Sequence, residues 1–426
     1  MAITQWIGNG QTTAQVDTIT VTAVATNGVL KAQISNKIIT YTCTASDTTS
    51  TAAANFAALM NSRSAPPEFQ QQTYVAVANV ITMTADVAGT PFTATFSASG
   101  GATLTQTHTT LNSSPSDILN PDNWLRNGVA AIPQNGDDVV VLGTNAPDLL
   151  WNLDGLRTVT FKSYTRWQSF QATIGLPDWN PLGYREYRPT YFQFNGFASS
   201  SSSPGQPTPI TVLLGIGATG SGPSLERYNV GSQATNFIVL ASGSASQDFA
   251  VYLLGTHGGN TLKAQGASVG IATGQTDVSA LQSSTVDGGG SVTYGAGCAV
   301  SGTITVNLSG QVGLYTAPSS LQLQNGAQAT IYQDGLTIPT LTAQGGSLIT
   351  YLAGGTISNL TLQTSSRLDK SQDLRTLTIS TSEVDGDTCQ VNDPNSVIVW
   401  STATVVNGQV TTGPFLTGPG RQWKIT

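Results

Sequence analysis

Charge is what this sequence has least of. Of its 426 residues, 9% are Asp, Glu, Lys or Arg, against the roughly 25% usual in soluble proteins. The 16 basic residues are scattered singly, which excludes a nucleic-acid footprint and a patch for anionic membranes. Two histidines, His108 and His257, and three cysteines, Cys43, Cys298 and Cys389, lie far apart. They form no metal or redox spacing, and the thiols read as buried and free. No apolar run reaches the ~18 residues of a membrane span. Met1 to Trp6 has no basic or apolar leader, so no Sec signal is expected. Disorder is excluded too, because 39% of residues are hydrophobic and the net charge is only −7.

Glycine and small hydroxyl or amide residues are what the chain has instead, set among short apolar strand patterns. Between residues 262 and 400, apolar anchors return roughly every twenty residues, the mark of a solenoid: Leu262, Leu281, Ile304, Leu321, Leu341, Leu360, Leu377 and Val397. A second series is interleaved: Val269, Val292, Val312, Ala329, Leu348, Leu368 and Cys389. Each repeat therefore offers two strands and two bends. In Thr303-Ile304-Thr305-Val306 and Thr376-Leu377-Thr378-Ile379, apolar and polar residues alternate with period two. Stiff β-branched residues and the pairs Gly345-Gly346 and Gly354-Gly355 exclude helix. The expected fold is mainly β, a right-handed parallel β-helix with a C-terminal cap over residues 201–426, preceded by a small α+β domain.

That first domain spans residues 1–109. Alternating strands surround one helical stretch, Thr49 to Asn61, with Ala52, Phe56, Leu59 and Met60 on one face and Asp47 or Thr48 able to cap it. The order of strand, "ITYTCTASDTTSTAAANFAALMNS", strand and "VITMTADVAGTPFTATF" resembles a β-β-α-β-β module of phage virion and other surface-assembly proteins. Asp47, Thr48, Gly89, Thr90, Pro91 and Phe92 carry the match. The resemblance implies a docking or spacer role toward other particle proteins, with no catalytic residue.

Residues 110–200 read as a linker and an aromatic-rich lead-in and cap. Asn123-Trp124 followed by "PQNGDD" at Pro133 to Asp138, then "IGLP", "EYRPTY" and "GTHGGNTL", is similar to uncharacterised solenoid proteins of phage and planctomycete-type genomes. Of the aromatic residues here, Trp167, Trp179, Tyr184 and Tyr187 are candidate glycan contacts, although plugging the end of a solenoid is the more ordinary use.

Chemistry is sparse. Gly215-Ile-Gly217-Ala-Thr-Gly220 matches a dinucleotide fingerprint, but Ser221-Gly-Pro223 follows where a helix must open. Glu383, Asp385 and Asp387 alternate on one side of an extended "EVDGDT", so they are weak candidates for a metal. The same letters suit a solvated turn, as do Asp137 and Asp138. Cleavage of a glycan needs two converging carboxylates, and no pair is arranged for it. No catalytic residue and no cofactor is expected. The function expected is a structural virion or virion-like appendage, a fibre, spike or decoration protein at the particle surface, released by lysis. A depolymerising tailspike and a bacterial surface adhesin are the alternatives. A homotrimer is expected, with outward residues such as Tyr351 and Val399 between rods and host glycan as a possible ligand.

Overall fold

The structure is a computed structural model that describes residues 2–34, 36–90, 92–143, 147, 149–150, 158–167, 169–170, 174–175, 192–196, 210–216, 226–241, 251–401, 405–412 and 423–424. A strand with period-two alternation turns every second side chain the same way. Here the apolar set turns inward along a parallel β-helix. One face stacks Thr261–Gln265, Ser283–Asp287, Thr303–Val306, Ser320–Leu323 and then residues 340–343, 359–363 and 381–385. The next stacks Ser268–Ile271, Ser291–Tyr294, Gln311–Leu314, Gln328–Ile331, Leu348–Tyr351 and Arg367–Asp369. Within each strand the buried positions alternate with partly exposed ones, as in Thr303–Val306 and Ser320–Leu323.

Several turns also have a third, short face that the two apolar series did not separate. Ser279–Leu281 pairs with Cys298–Val300. Further on, Ile338, Ile357, Ile379 and Trp400 stack in register. Leu281 and Leu377 belong to this face, and Val397 leads into it. The true first-face column is Leu262, Ser284, Ile304, Leu321, Leu341, Leu360 and Ser382. Two of its members are serine, so an apolar count slips to the neighbouring strand. Ser284 is buried because its Oγ meets Tyr294 Oη at 2.6 Å. On the second face Ile349, not Leu348, and Val391, not Cys389, continue the column. Tyr351 faces inward and is buried, whereas Val399 faces out.

The corner from first to second face is a repeated pair of left-handed residues. The pairs are Gly288-Gly289, Leu308-Ser309, Asn325-Gly326, Gly345-Gly346 and Thr364-Ser365, all with φ between 48° and 77°. Glycine takes this conformation freely, whereas an L side chain strains by ~1–2 kcal/mol.

The parallel ladder starts well before residue 201. Ile3–Trp6 pairs in parallel with Asp137–Val141, which pairs with Thr158–Arg166. The α+β unit is therefore not the first domain of residues 1–109 but an insertion. The chain begins on the solenoid base, leaves, and returns near the Thr13–Ser113 bridge. Trp6 and Trp124 pack edge to face at 4.9 Å in the solenoid core. Trp124–Arg126 and Val129–Ala130 form an antiparallel hairpin on the outer edge of Ile3–Trp6. Asn127 and Gly128, both at positive φ, make its turn. This short hairpin blunts an edge that would otherwise invite further strands.

The insertion has its own core around Ile19, Leu30, Phe56, Met60, Phe69, Ile81 and Met83. Its helix, Thr49–Met60, starts at Thr48 in a reciprocal capping box with Thr51 and buries Ala52, Ala53, Phe56, Ala57 and Met60. Leu59 lies outside that face and is exposed. Rather than one sheet there are two: a 4-stranded one of Gln72–Val77, Val80–Ala85, Val16–Ala23 and Thr103–Thr110, and a 3-stranded one of Lys37–Thr42, Val29–Ile34 and Ala94–Ser99. Gln106 ties them, accepting from Phe96 N and donating to Ala94 O.

Thr364 is exposed and strained at φ 49°, while Gly346 is exposed with open space around its missing Cβ. Thr364→Gly is therefore expected to raise stability by roughly 0.5–1 kcal/mol and Gly346→Ala to lower it by about 1 kcal/mol. Urea denaturation of both variants checks the pair, and the same sign for both would contradict the corner assignment.

Candidate functional site

Among the described residues, those singled out from sequence are not gathered into one centre. Glu383 and Asp385 are exposed on the outer side of their strand, with buried Val384 between them. Their partners on the preceding turn are Thr361 and Gln363. The side chain of Asp387 lies outside the described residues, and among those described no three carboxylate, histidine or cysteine groups come together for a metal. Trp167 is 53% exposed. Trp179, Tyr184 and Tyr187 lie outside the described residues. The three thiols are buried and free, and burial pushes that of Cys298 up to about 12.

Asp137 is not a solvated turn residue. Its carboxylate is buried at the base, where it accepts from Thr4 Oγ1 (2.8 Å), Arg126 Nε (2.8 Å) and Nη2 (3.1 Å), and Gln134 N (2.9 Å). These groups come from the segments before and after the insertion. Burial alone would raise the acid, but Arg126, Gln134 N–H and Thr4 outweigh it and hold the carboxyl below its ordinary value. Beside it, Asp138 takes a hydrogen bond from Ser163 (2.6 Å).

A second buried pair lies inside the early turns. Arg166 Nε donates to Glu226 Oε1 at 2.9 Å, Tyr228 donates to the other oxygen at 2.7 Å, and the guanidinium lies over Phe170. Burial pushes the Glu226 carboxyl up, partly offset by Arg166 and Tyr228. The pair fills the interior and presents nothing to solvent.

Between the second and third faces the corner carries charge. Lys370 takes an inner position, buried over the Tyr351 ring, and bonds Ala353 O and Asp373. Arg375 bonds Asp373, Asp334 of an earlier turn and the Leu352 carbonyl. Asp373 is held well below the usual carboxylate range, first by Arg375 and then by Lys370. Two cations and two carboxylates thus neutralise one another and lace three turns.

On the same corner, one step from the charges, Tyr315 and Tyr332 stack at 5.0 Å with 15° between their planes. They are 39% and 41% exposed, whereas Tyr164, Tyr228, Tyr294 and Tyr351 are buried. Sequence reading passed over this pair, because only the register that stacks Leu314 on Ile331 brings the two rings together.

No family model, no curated protein and no solved structure matches this chain.

Asp137→Ala leaves Thr4, Gln134 N–H and the partly exposed Arg126 without their acceptor, and is expected to cost about 1–3 kcal/mol. Because the folded carboxyl is more acidic than its unfolded form, the stabilisation is complete above about pH 4 and is lost as pH falls through the folded value. Melting temperature followed from pH 7 to pH 2 should fall less steeply in Asp137→Ala than in the parent. Parallel curves would contradict the clamp.

Proposed function

We propose that this chain is a structural appendage of a virion or virion-like particle, working by assembly and adhesion. The observation that carries the reading is the insertion itself. A folded α+β body with its own core leaves and rejoins a β-helical rod at one end, a topology that suits a docking head on a projecting shaft.

The outer face of the 4-stranded sheet supports a docking role. Its rows run Val75, Thr82, Thr18 and Thr107, then Val77, Val80, Thr20 and Thr105. These rows of threonine and valine carry no charge, the nearest being Asp86 at the end of the face, where it accepts from Thr73, and such rows can meet another uncharged protein surface at little desolvation cost. The rod's side supports self-association: Val278, Leu374 and Val399, on or beside the third face, are exposed. Three copies side by side would cover them within a closed symmetry. On this reading the carboxylates that do converge, Asp334 and Asp373, serve as ion-pair partners and not as a catalytic pair.

Three outcomes are expected. Light scattering should give three times the 44.1 kDa chain mass, and a particle of one chain mass that persists on concentration would contradict the trimer. Replacing residues 14–112 by a short Gly-Ser linker should leave a folded solenoid that no longer sediments with particles from a producing lysate. Sedimentation unchanged by the deletion would remove the docking role. Host exopolysaccharide incubated with the protein should release no reducing ends, and release abolished by Asp385→Asn would favour a depolymerase.

A further inference from the structure

We propose that the stacked pair Tyr315–Tyr332, with the hydroxyl and amide groups beside it, is a binding site for a neutral glycan. This rests on the adhesive reading above and gives it a place and a ligand class. Each turn buries one large side chain at the end of its second-face strand and then bends. The bend-starting residues on successive turns are Gly295, Tyr315, Tyr332 and Leu352, as the bonds Tyr315 N to Tyr294 O, Tyr332 N to Leu314 O and Leu352 N to Ile331 O show. The two rings repeat at 5.0 Å, close to the ~4.8 Å step between stacked strands.

The stack is seated by an absent side chain. Gly313 lies on the outward side of its strand, and a Cβ there would come within 3.3 Å of Tyr332 Cε2 and 3.4 Å of Thr293 Oγ1. The Tyr332 ring thus leans back over Gly313 instead of standing free. Below Tyr315 the corner is Gly295-Ala296-Gly297, which sets no side chain larger than a methyl group against that ring. Gln311 and Gln328, exposed, and Thr330, partly exposed, point outward from the same strands. Among the described residues neither tyrosine hydroxyl has a hydrogen-bond partner.

A pyranose offers an apolar C–H face for such a ring and hydroxyls for such a rim, and the amphipathic tyrosine suits a surface that is apolar on one side and wet on the other. Nucleic-acid bases stack on tyrosine equally well but need cations along the backbone. Here the cations of this corner, Lys370 and Arg375, are bonded to Asp373 and Asp334. A proline-rich segment needs an aromatic groove, which two rings packed face to face do not form.

The test uses the full chain and a panel of neutral hexasaccharides (maltohexaose, cellohexaose, chitohexaose and mannohexaose), read by titration calorimetry. Binding of at least one member is expected. Tyr315→Ala and Tyr332→Ala should each weaken it by roughly tenfold, Gly313→Val should weaken it while both rings remain, and Tyr332→Phe should keep most of it. Circular dichroism of each variant should match the parent. Four results would each overturn the proposal: no binding of any panel member; binding unchanged in folded alanine variants; tyrosine-dependent binding of oligo(dT) or a polyproline peptide in place of sugar; or alanine variants that lose only thermal stability. Sedimentation of the same variants with particles separates the two readings. Glycan binding can fail while sedimentation persists, and sedimentation can fail while glycan binding persists.

Discussion

Backbone pairing between successive parallel turns is the constraint on which everything else in this molecule depends. Each turn of the solenoid satisfies its amide and carbonyl groups only on the turns above and below, so no turn is stable by itself. One inward column per face, one corner geometry and one register must then be kept along the rod. The column from Leu262 to Leu360 and the left-handed corner pairs are the side-chain and backbone expressions of that requirement. Where the sequence departs from the rule, the departure is local: two corners accept non-glycine pairs, and Lys370 enters the inner column only because Asp373 and a carbonyl neutralise it.

The same constraint leaves two open ends, and the base shows how one is closed. An antiparallel hairpin caps the first parallel strand, Trp6 meets Trp124, and Asp137 binds groups from either side of the insertion. The excursion into the α+β unit therefore leaves from, and returns to, a point of the rod where side chains from both flanks are bonded to one carboxylate.

Much of the fold was legible in the sequence, because period-two alternation and a repeat near twenty residues are local signals. The third face was not, since Ser279–Leu281 and residues 377–379 are short and adjoin the first-face strands, and Ser284 and Ser382 hide the true column. Asn127-Gly128 is a turn signal that went unread because the strand it caps, Ile3–Trp6, lies more than a hundred residues away. The buried role of Asp137 was masked in the same way, by partners distant in sequence. The candidate site was hardly legible. Trp167 was named and is exposed, whereas the tyrosine pair emerges only when two turns are stacked in register.

The central claim is a division of labour, with the insertion toward the particle and the solenoid projecting from it. Electron microscopy of particles carrying a gold label at Ser64, exposed in the turn that follows the helix, tests it most directly. The account requires gold at the particle surface and rod density extending outward beyond it. Gold at the distal tip of the rods, or particles without rod density or label, would contradict it.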